Sequence, residues 1–147
     1  MLKGISPLLP PELLKIMMEM GHGDTLVIGD GNFPAAACAK RLVRCDGHSV
    51  LPILDAVLKL FPLDQPQSDP VCVMQVQDKN APQPEIWESF REIISTYEPE
   101  KSALHEVERF EFYEQAKKAY AVVATGETAI YANLILKKGV ITDEPGW

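Results

Sequence analysis

No apolar run in the 147-residue chain approaches the ~20 residues that a membrane-spanning helix needs. Positive charge is also short: 14 Lys and Arg stand against 21 Asp and Glu, a formal charge of −7. Nucleic acids and anionic membranes are gripped by clustered basic side chains, and the doublets Lys117-Lys118 and Lys137-Lys138 do not make a cluster. Cysteine is sparse. Cys38, Cys45 and Cys72 are odd in number and have no C-x-x-C spacing, which fits reduced thiols better than a disulfide framework or a zinc site. A secretory leader needs a continuous apolar core, and Pro7, Pro10 and Pro11 interrupt the first residues instead. Glycine-rich phosphate loops, a Walker pattern and a serine nucleophile elbow are missing too. What is left is a cytoplasmic protein whose partner is a neutral small molecule or another protein, with no nucleic acid and no membrane.

What is present reads as one domain over residues 1–147, with 46% hydrophobic and 24% charged residues. Residues 11–20 predict a helix opened by Pro11, with Glu12, Lys15 and Glu19 on one face and Leu13, Leu14, Met17 and Met20 on the other. Gly21, past the last apolar residue, predicts a left-handed stop. Helices are also expected from Val50 to Phe61, from Glu85 to Tyr97 and from Phe110 to Ala119. The apolar runs Leu26–Ile28, Val71–Val76, Tyr120–Ala124 and Asn133–Leu136 and the alternating Arg41–Cys45 predict strands, with a short one within 103–108. Phe61 to Pro70, with three prolines after Phe61, predicts a loop that walls a site, and Gln77 to Pro84 an exposed loop. Short, nearly all-apolar strands are buried on both faces. Alternating with helices, they define an α/β fold: three layers, with a mostly parallel or mixed central sheet flanked by helices.

Chemistry concentrates in Gly21-His22-Gly23-Asp24 and, past the next strand, Asp30-Gly31-Asn32-Phe33-Pro34. Imidazole titrates near neutral pH, which makes His22 the strongest acid/base candidate. A histidine that bonds the open carbonyls of the preceding helix fits the same position equally well. Asp24 and Asp30 are able to orient a histidine or accept from sugar hydroxyls; turn chemistry is the better fit for Asp24. Arg109 and Tyr113 share a helix face if that helix starts early enough. Tyr131-Ala132-Asn133 places an aromatic plate and an amide around a small residue, which suits a polyhydroxylated ligand or a capped turn. Met17, Met18 and Met20 read as core, not as a copper site, and Trp87 as core, not as a sugar platform. His48 and His105 lack partners at metal-ligand spacing and belong on the surface.

Together, Gly21–Asp24, Asp30–Pro34, Arg109-Phe110-Glu111-Phe112-Tyr113-Glu114, Thr125-Gly126-Glu127, Tyr131-Ala132-Asn133 and Leu136-Lys137-Lys138-Gly139 closely resemble the L-fucose mutarotase family, part of the superfamily shared with D-ribose pyranase. The resemblance covers essentially the whole chain. It implies a cofactor-free, metal-free isomerase that interconverts the α and β anomers of L-fucose, and a ring-shaped homo-oligomer, often a decamer, with sites near subunit contacts. His22 matches the family's proton donor, and Asp30, Arg109, Tyr131 and Asn133 match its substrate-binding positions. Asp64 and Tyr113 match further positions implicated in animal members, and Met74 a backbone contact. One departure stands out: Ala132 occurs where fucose mutarotases usually carry glycine, which leaves pyranase activity on ribose open.

On this reading His22 and Tyr113 carry the proton transfers, and Asp30, Asp64, Met74, Arg109, Tyr131 and Asn133 hold the sugar. A non-catalytic sugar-binding or regulatory module using the same pocket is the rival. Geometry adds a constraint. A straight strand over residues 25–29 spans roughly 17 Å and puts His22 and Asp30 at opposite ends. Either the Gly21–Asp24 loop folds back, or each site is shared between neighbouring subunits; the ring assembly favours sharing.

Overall fold

Four of the six strands are apolar enough to be buried along almost their whole length, and they form the middle of one sheet. The structure, a computed structural model, describes residues 1–143; the last four residues of the expected 1–147 domain lie outside the described residues. The strands are β1 (Thr25–Gly29), β2 (Leu42–Cys45), β3 (Val71–Met74), β4 (His105–Val107), β5 (Ala121–Thr125) and β6 (Leu134–Lys137). They lie in the order β2-β5-β1-β6-β3-β4. The pairs β1/β5, β2/β5 and β3/β4 are parallel, and β6 runs antiparallel to both β1 and β3. The direction of β6 follows from its connection: residues 126–133 are too few for the helical crossover that a parallel return requires. The edge strands have only four and three residues, and exposed Arg44, His105 and Glu106 keep them from pairing with another sheet.

Among the described residues, five α-helices cover the two faces: α1 (Pro11–Glu19), α2 (Ala35–Cys38), α3 (Val50–Leu58), α4 (Glu85–Tyr97) and α5 (Arg109–Lys118). Side chains alternate across a strand, so Leu26 and Ile28 join the core under α1, α3 and α4, whereas Val27 joins the core under α2 and α5. The result is the expected three-layer α/β arrangement. Trp87, Phe90 and Ile94 of α4 are fully buried, which places Trp87 in the core. The α2 turn is absent from the sequence expectation, and α3 stops at Leu58, short of Phe61.

The end of α1 also differs from expectation. Met20 leaves the helix in an extended conformation (φ −63°, ψ 138°), and Gly23, not Gly21, takes the left-handed backbone (φ 86°). The orphan carbonyls are satisfied by a lysine from the far end of the chain: Lys138 Nζ donates to Met17 O at 2.8 Å and to Met20 O at 2.5 Å. The role of bonding the helix end therefore falls to Lys138, which leaves His22 free for other partners.

Topology fixes where a ligand can sit. The chain leaves β1 through α2 toward the β2 edge, and leaves β3 through α4 toward the β4 edge, with those two helices on opposite faces. Between the carboxyl ends of β1 and β3 the sheet is therefore open, with only the start of β6 between them. Small molecules bind in such crevices in α/β sheets.

Candidate functional site

A cavity of about 300 Å³ occupies that crevice. Asp30 enters it from the end of β1, Met74 from the end of β3, Asn133 from just before β6, and Arg109 and Tyr113 from the first turns of α5. Tyr131 and the exposed Ile130 complete the wall. Six of the eight expected site residues thus line one pocket, at the lower end of the size range of ligand sites, about 300–1,000 Å³.

Local bonding holds each group in place. Asp30 and Asn133 are almost fully buried, at 5% and 4% exposure. Asp30 N–H donates to Asn133 Oδ1 at 2.8 Å, and Asn32 N–H donates to Asp30 Oδ1 at 2.9 Å. One carboxylate oxygen and the Asn133 amide nitrogen are left for the pocket. Gly31 N–H donates to Glu127 O at 2.8 Å, pinning the 126–133 crossing over the strand ends. The α5 helix does begin at Arg109, because the Glu108 carboxylate caps it by accepting from Phe110 and Glu111 N–H at 2.9 and 3.1 Å. Arg109 and Tyr113 therefore share a helix face. Phe33 packs beside Tyr113 and edge-on to Phe112, each ring centroid 5.9 Å away.

Tyr131 has a left-handed backbone, φ 57°, which costs a non-glycine residue on the order of 1 kcal/mol. Two bonds hold it there: Trp87 Nε1–H donates to its carbonyl at 2.9 Å, and Gln77 N–H donates to its hydroxyl at 3.4 Å. Gln77 also meets Arg109. With its amide oxygen turned toward the guanidinium, that oxygen lies 3.0–3.2 Å from all three nitrogens. The sequence offered no sign of this, since Gln77 reads as one more polar residue in an exposed loop.

The remaining two expected residues stand elsewhere, together. His22 and Asp64 meet at the other end of β1, His22 Nε2 to Asp64 Oδ1 at 3.1 Å. Both segments are stitched to the end of β6. Gly23 N–H donates to Lys138 O and Lys138 N–H to Asp24 O, both at 2.8 Å, while Asp64 N–H donates to Lys137 O at 3.0 Å. A side chain on Gly139 would press into the Leu63 carbonyl at 2.5 Å, so the Lys-Lys-Gly run needs its glycine for this close crossing. Asp24 is engaged in turn chemistry, its Oδ2 accepting from Gly21 N–H at 2.7 Å.

The pair is asymmetric: the His22 side chain is 59% exposed and that of Asp64 only 12%. Burial pushes the Asp64 carboxyl up, but the Gln65 N–H, the Ser68 hydroxyl (3.0 Å) and His22 outweigh it and hold Asp64 below its usual value. Asp64 is therefore an ionised acceptor that orients the imidazole through Nε2 and does not engage Nδ1. Beside it runs a groove of about 760 Å³ whose wall is apolar, including exposed Leu2, Met18, Leu60, Val140 and Ile141. It is larger than the polar crevice, yet offers few groups to bind hydroxyls. Among the described residues, no three His, Cys, Asp or Glu side chains gather as a metal site would require.

A mixed sheet with a small polar crevice at the carboxyl ends of its strands defines an α/β protein built to hold a small, hydroxyl-rich molecule. A family model described as the RbsD / FucU transport protein family matches residues 3–141. The chain belongs to that family. It is 48% identical over 150 aligned residues to the fucose mutarotase of Homo sapiens, covering 98% of this chain and 97% of the human one. Among solved structures it is similar to the fucose mutarotase of Streptococcus pneumoniae in complex with L-fucose, with a TM-score of 0.90, 45% identity and coverage of 96% and 100%. The Bacillus subtilis RbsD complexed with D-ribose shares the fold at a TM-score of 0.70 and 23% identity, covering 97% and 100%.

Proposed function

We propose that the protein interconverts the α and β anomers of L-fucose by opening and reclosing the pyranose ring, without a cofactor. The observation that carries this is the crevice where Asp30, Arg109, Tyr113 and Asn133 converge, in a chain 45% identical to the pneumococcal protein solved with L-fucose. An acid gives a proton to the ring oxygen while a base takes the proton of the anomeric hydroxyl. The bond between C1 and the ring oxygen breaks, and C1 becomes an aldehyde. Rotation about C1–C2 and re-addition of the hydroxyl give the other anomer.

Asp30, Arg109 and Asn133 hold the sugar hydroxyls, Tyr131 and Met74 wall the ring, and Tyr113 is one donor and acceptor. His22 is the other, moving the proton at Nδ1 because Nε2 is committed to Asp64. Asp64 acts by orienting His22, and touches the sugar less directly than Asp30 does. The five residues of β1, about 17 Å long, separate His22 from Asp30, so the His22–Asp64 pair that completes each crevice comes from a neighbouring copy. Apolar residues rim both halves: Leu2, Met18, Val140 and Ile141 near His22, and Phe110 and Ile130 near the crevice. Two different patches meeting head to tail form a ring where the rotation between copies closes, and that ring is part of a decamer. The assembly is cytoplasmic and supports fucose utilisation. A secondary pyranase activity on D-ribose uses the same crevice; Ala132, between the lining residues Tyr131 and Asn133, is itself buried in the core.

One observation favours a second reading, a sugar-binding module without catalysis: the crevice of a single chain contains no histidine. Saturation-transfer NMR on the two fucose anomers separates the readings. Exchange well above the buffer rate supports the mutarotase, and binding at the buffer rate of exchange supports the module.

A further inference from the structure

We propose that Gln77 is the positioning residue of the sugar site, setting Arg109 with its side chain and Tyr131 with its backbone; this rests on the crevice being the sugar site. With its amide turned so that the oxygen faces Arg109, the orientation the donor-only surroundings require, Gln77 places that oxygen 3.2, 3.0 and 3.1 Å from Nε, Nη1 and Nη2 of Arg109. A point nearly equidistant from the three nitrogens of a planar guanidinium sits over its face, not at its edge. The contact is therefore a dipole on a charge, and the in-plane N–H donors stay available for sugar oxygens. An arginine held through its edge by a carboxylate would have those donors already spent.

Gln77 is itself fixed. Gln75 N–H donates to Val107 O at 2.8 Å, carrying the β3/β4 ladder one residue beyond the strand, and Val76 packs on the core. On the other side Asp78 closes a turn, its carboxylate accepting from Asn80 N–H at 2.9 Å and its carbonyl from Ala81 N–H at 3.0 Å. Between these anchors the Gln77 N–H reaches Tyr131 Oη, and the side chain lies over Arg109. One residue thus ties the end of β3 to the start of α5 and to the left-handed Tyr131, across the mouth of the crevice.

Gln77→Leu removes the dipole and keeps the backbone N–H, so only the Arg109 arm is lost. Fucose affinity, measured by calorimetry, falls roughly threefold to tenfold, the range of one such polar contact. The turnover of bound sugar changes less, and the Arg109 Nε–H NMR signal shifts. Gln77→Glu, whose carboxylate competes for the in-plane N–H donors, does not restore the native affinity. In an Arg109→Ala background Gln77→Leu has no further effect, because the two act as one unit. An unchanged affinity in Gln77→Leu, or an equal loss with and without Arg109, overturns the proposal while leaving the site in place. If Arg109→Ala itself leaves fucose affinity intact, the crevice is not the sugar site and the proposal falls with it.

Discussion

The two ends of β1 are made of different materials. At the carboxyl end, buried Asp30 and Asn133 bond each other and present spare polar atoms to a small crevice. At the amino end, a half-exposed His22 leans on a well-buried Asp64 beside a large apolar groove. The first has hydroxyl-binding groups and no imidazole; the second has an oriented imidazole and few groups to hold a sugar. On the proposed roles, neither end of one chain holds both proton-transferring groups, Tyr113 and His22. The contrast underlies the proposed division, in which the crevice supplies the binding groups and Tyr113, the other end supplies His22, and a head-to-tail contact between copies joins them.

Removing the imidazole is the harshest way to break this division. A positioned general acid or base contributes about 10²–10⁴-fold, so His22→Ala is expected to lose most anomer exchange by saturation-transfer NMR while keeping its fucose affinity. Asp30→Asn is the converse. It keeps the bond from Asn32 and loses the charge offered to a hydroxyl, so affinity should fall roughly tenfold to a hundredfold, read by calorimetry. Equal effects of both substitutions on binding and on turnover would erase the distinction between the two ends.

Smaller effects sharpen the comparison through stability. The folded-state value of Asp64 is depressed, so its contribution is fully present above the ordinary carboxylate range and is lost as pH falls through the depressed value. Denaturant midpoints of the native protein and Asp64→Asn should therefore differ at neutral pH and converge from about pH 4 downward. The smallest effect concerns the 126–133 crossing over the strand ends. Glu127 accepts from Val50 N–H and from Ala129 N–H, both at 3.1 Å, capping α3 from a distant segment where Ser49 does not. Glu127→Ala should cost about 1 kcal/mol, as the loss of a helix cap does, measured by denaturant unfolding.

Much of the layering was legible because it rests on local patterns. The apolar stripe of Glu85–Tyr97 gives α4 its limits, and the uninterrupted runs in β1, β3, β5 and β6 place them inside the sheet. The α2 turn was not legible: Ala35–Cys38 is one turn long, and a single turn has no periodicity. Nor was the end of α1, because its cap is the amine of Lys138, more than a hundred residues away. The site divides in the same way. Asp30, Arg109, Tyr113, Tyr131 and Asn133 stand in the runs that carry the family resemblance, and that resemblance singled them out. The pairing of His22 with Asp64 is set by two segments crossing Lys137-Lys138-Gly139, and the contact of Gln77 with Arg109 by a loop reaching over a helix start. Neither leaves a mark in local sequence.

Complementation between two impaired variants tests the division most directly. His22→Ala keeps the crevice and Asp30→Asn keeps the imidazole. If each site takes its crevice from one copy and its histidine from the next, co-expression of the two in equal amounts gives mixed rings in which about one quarter of the sites are intact. Exchange activity should then rise well above that of either variant alone, to roughly a quarter of the native level at a fucose concentration limiting for the Asp30 variant. Activity no greater than the average of the two variants, in rings shown to be mixed, would place the whole site within one chain and contradict the account.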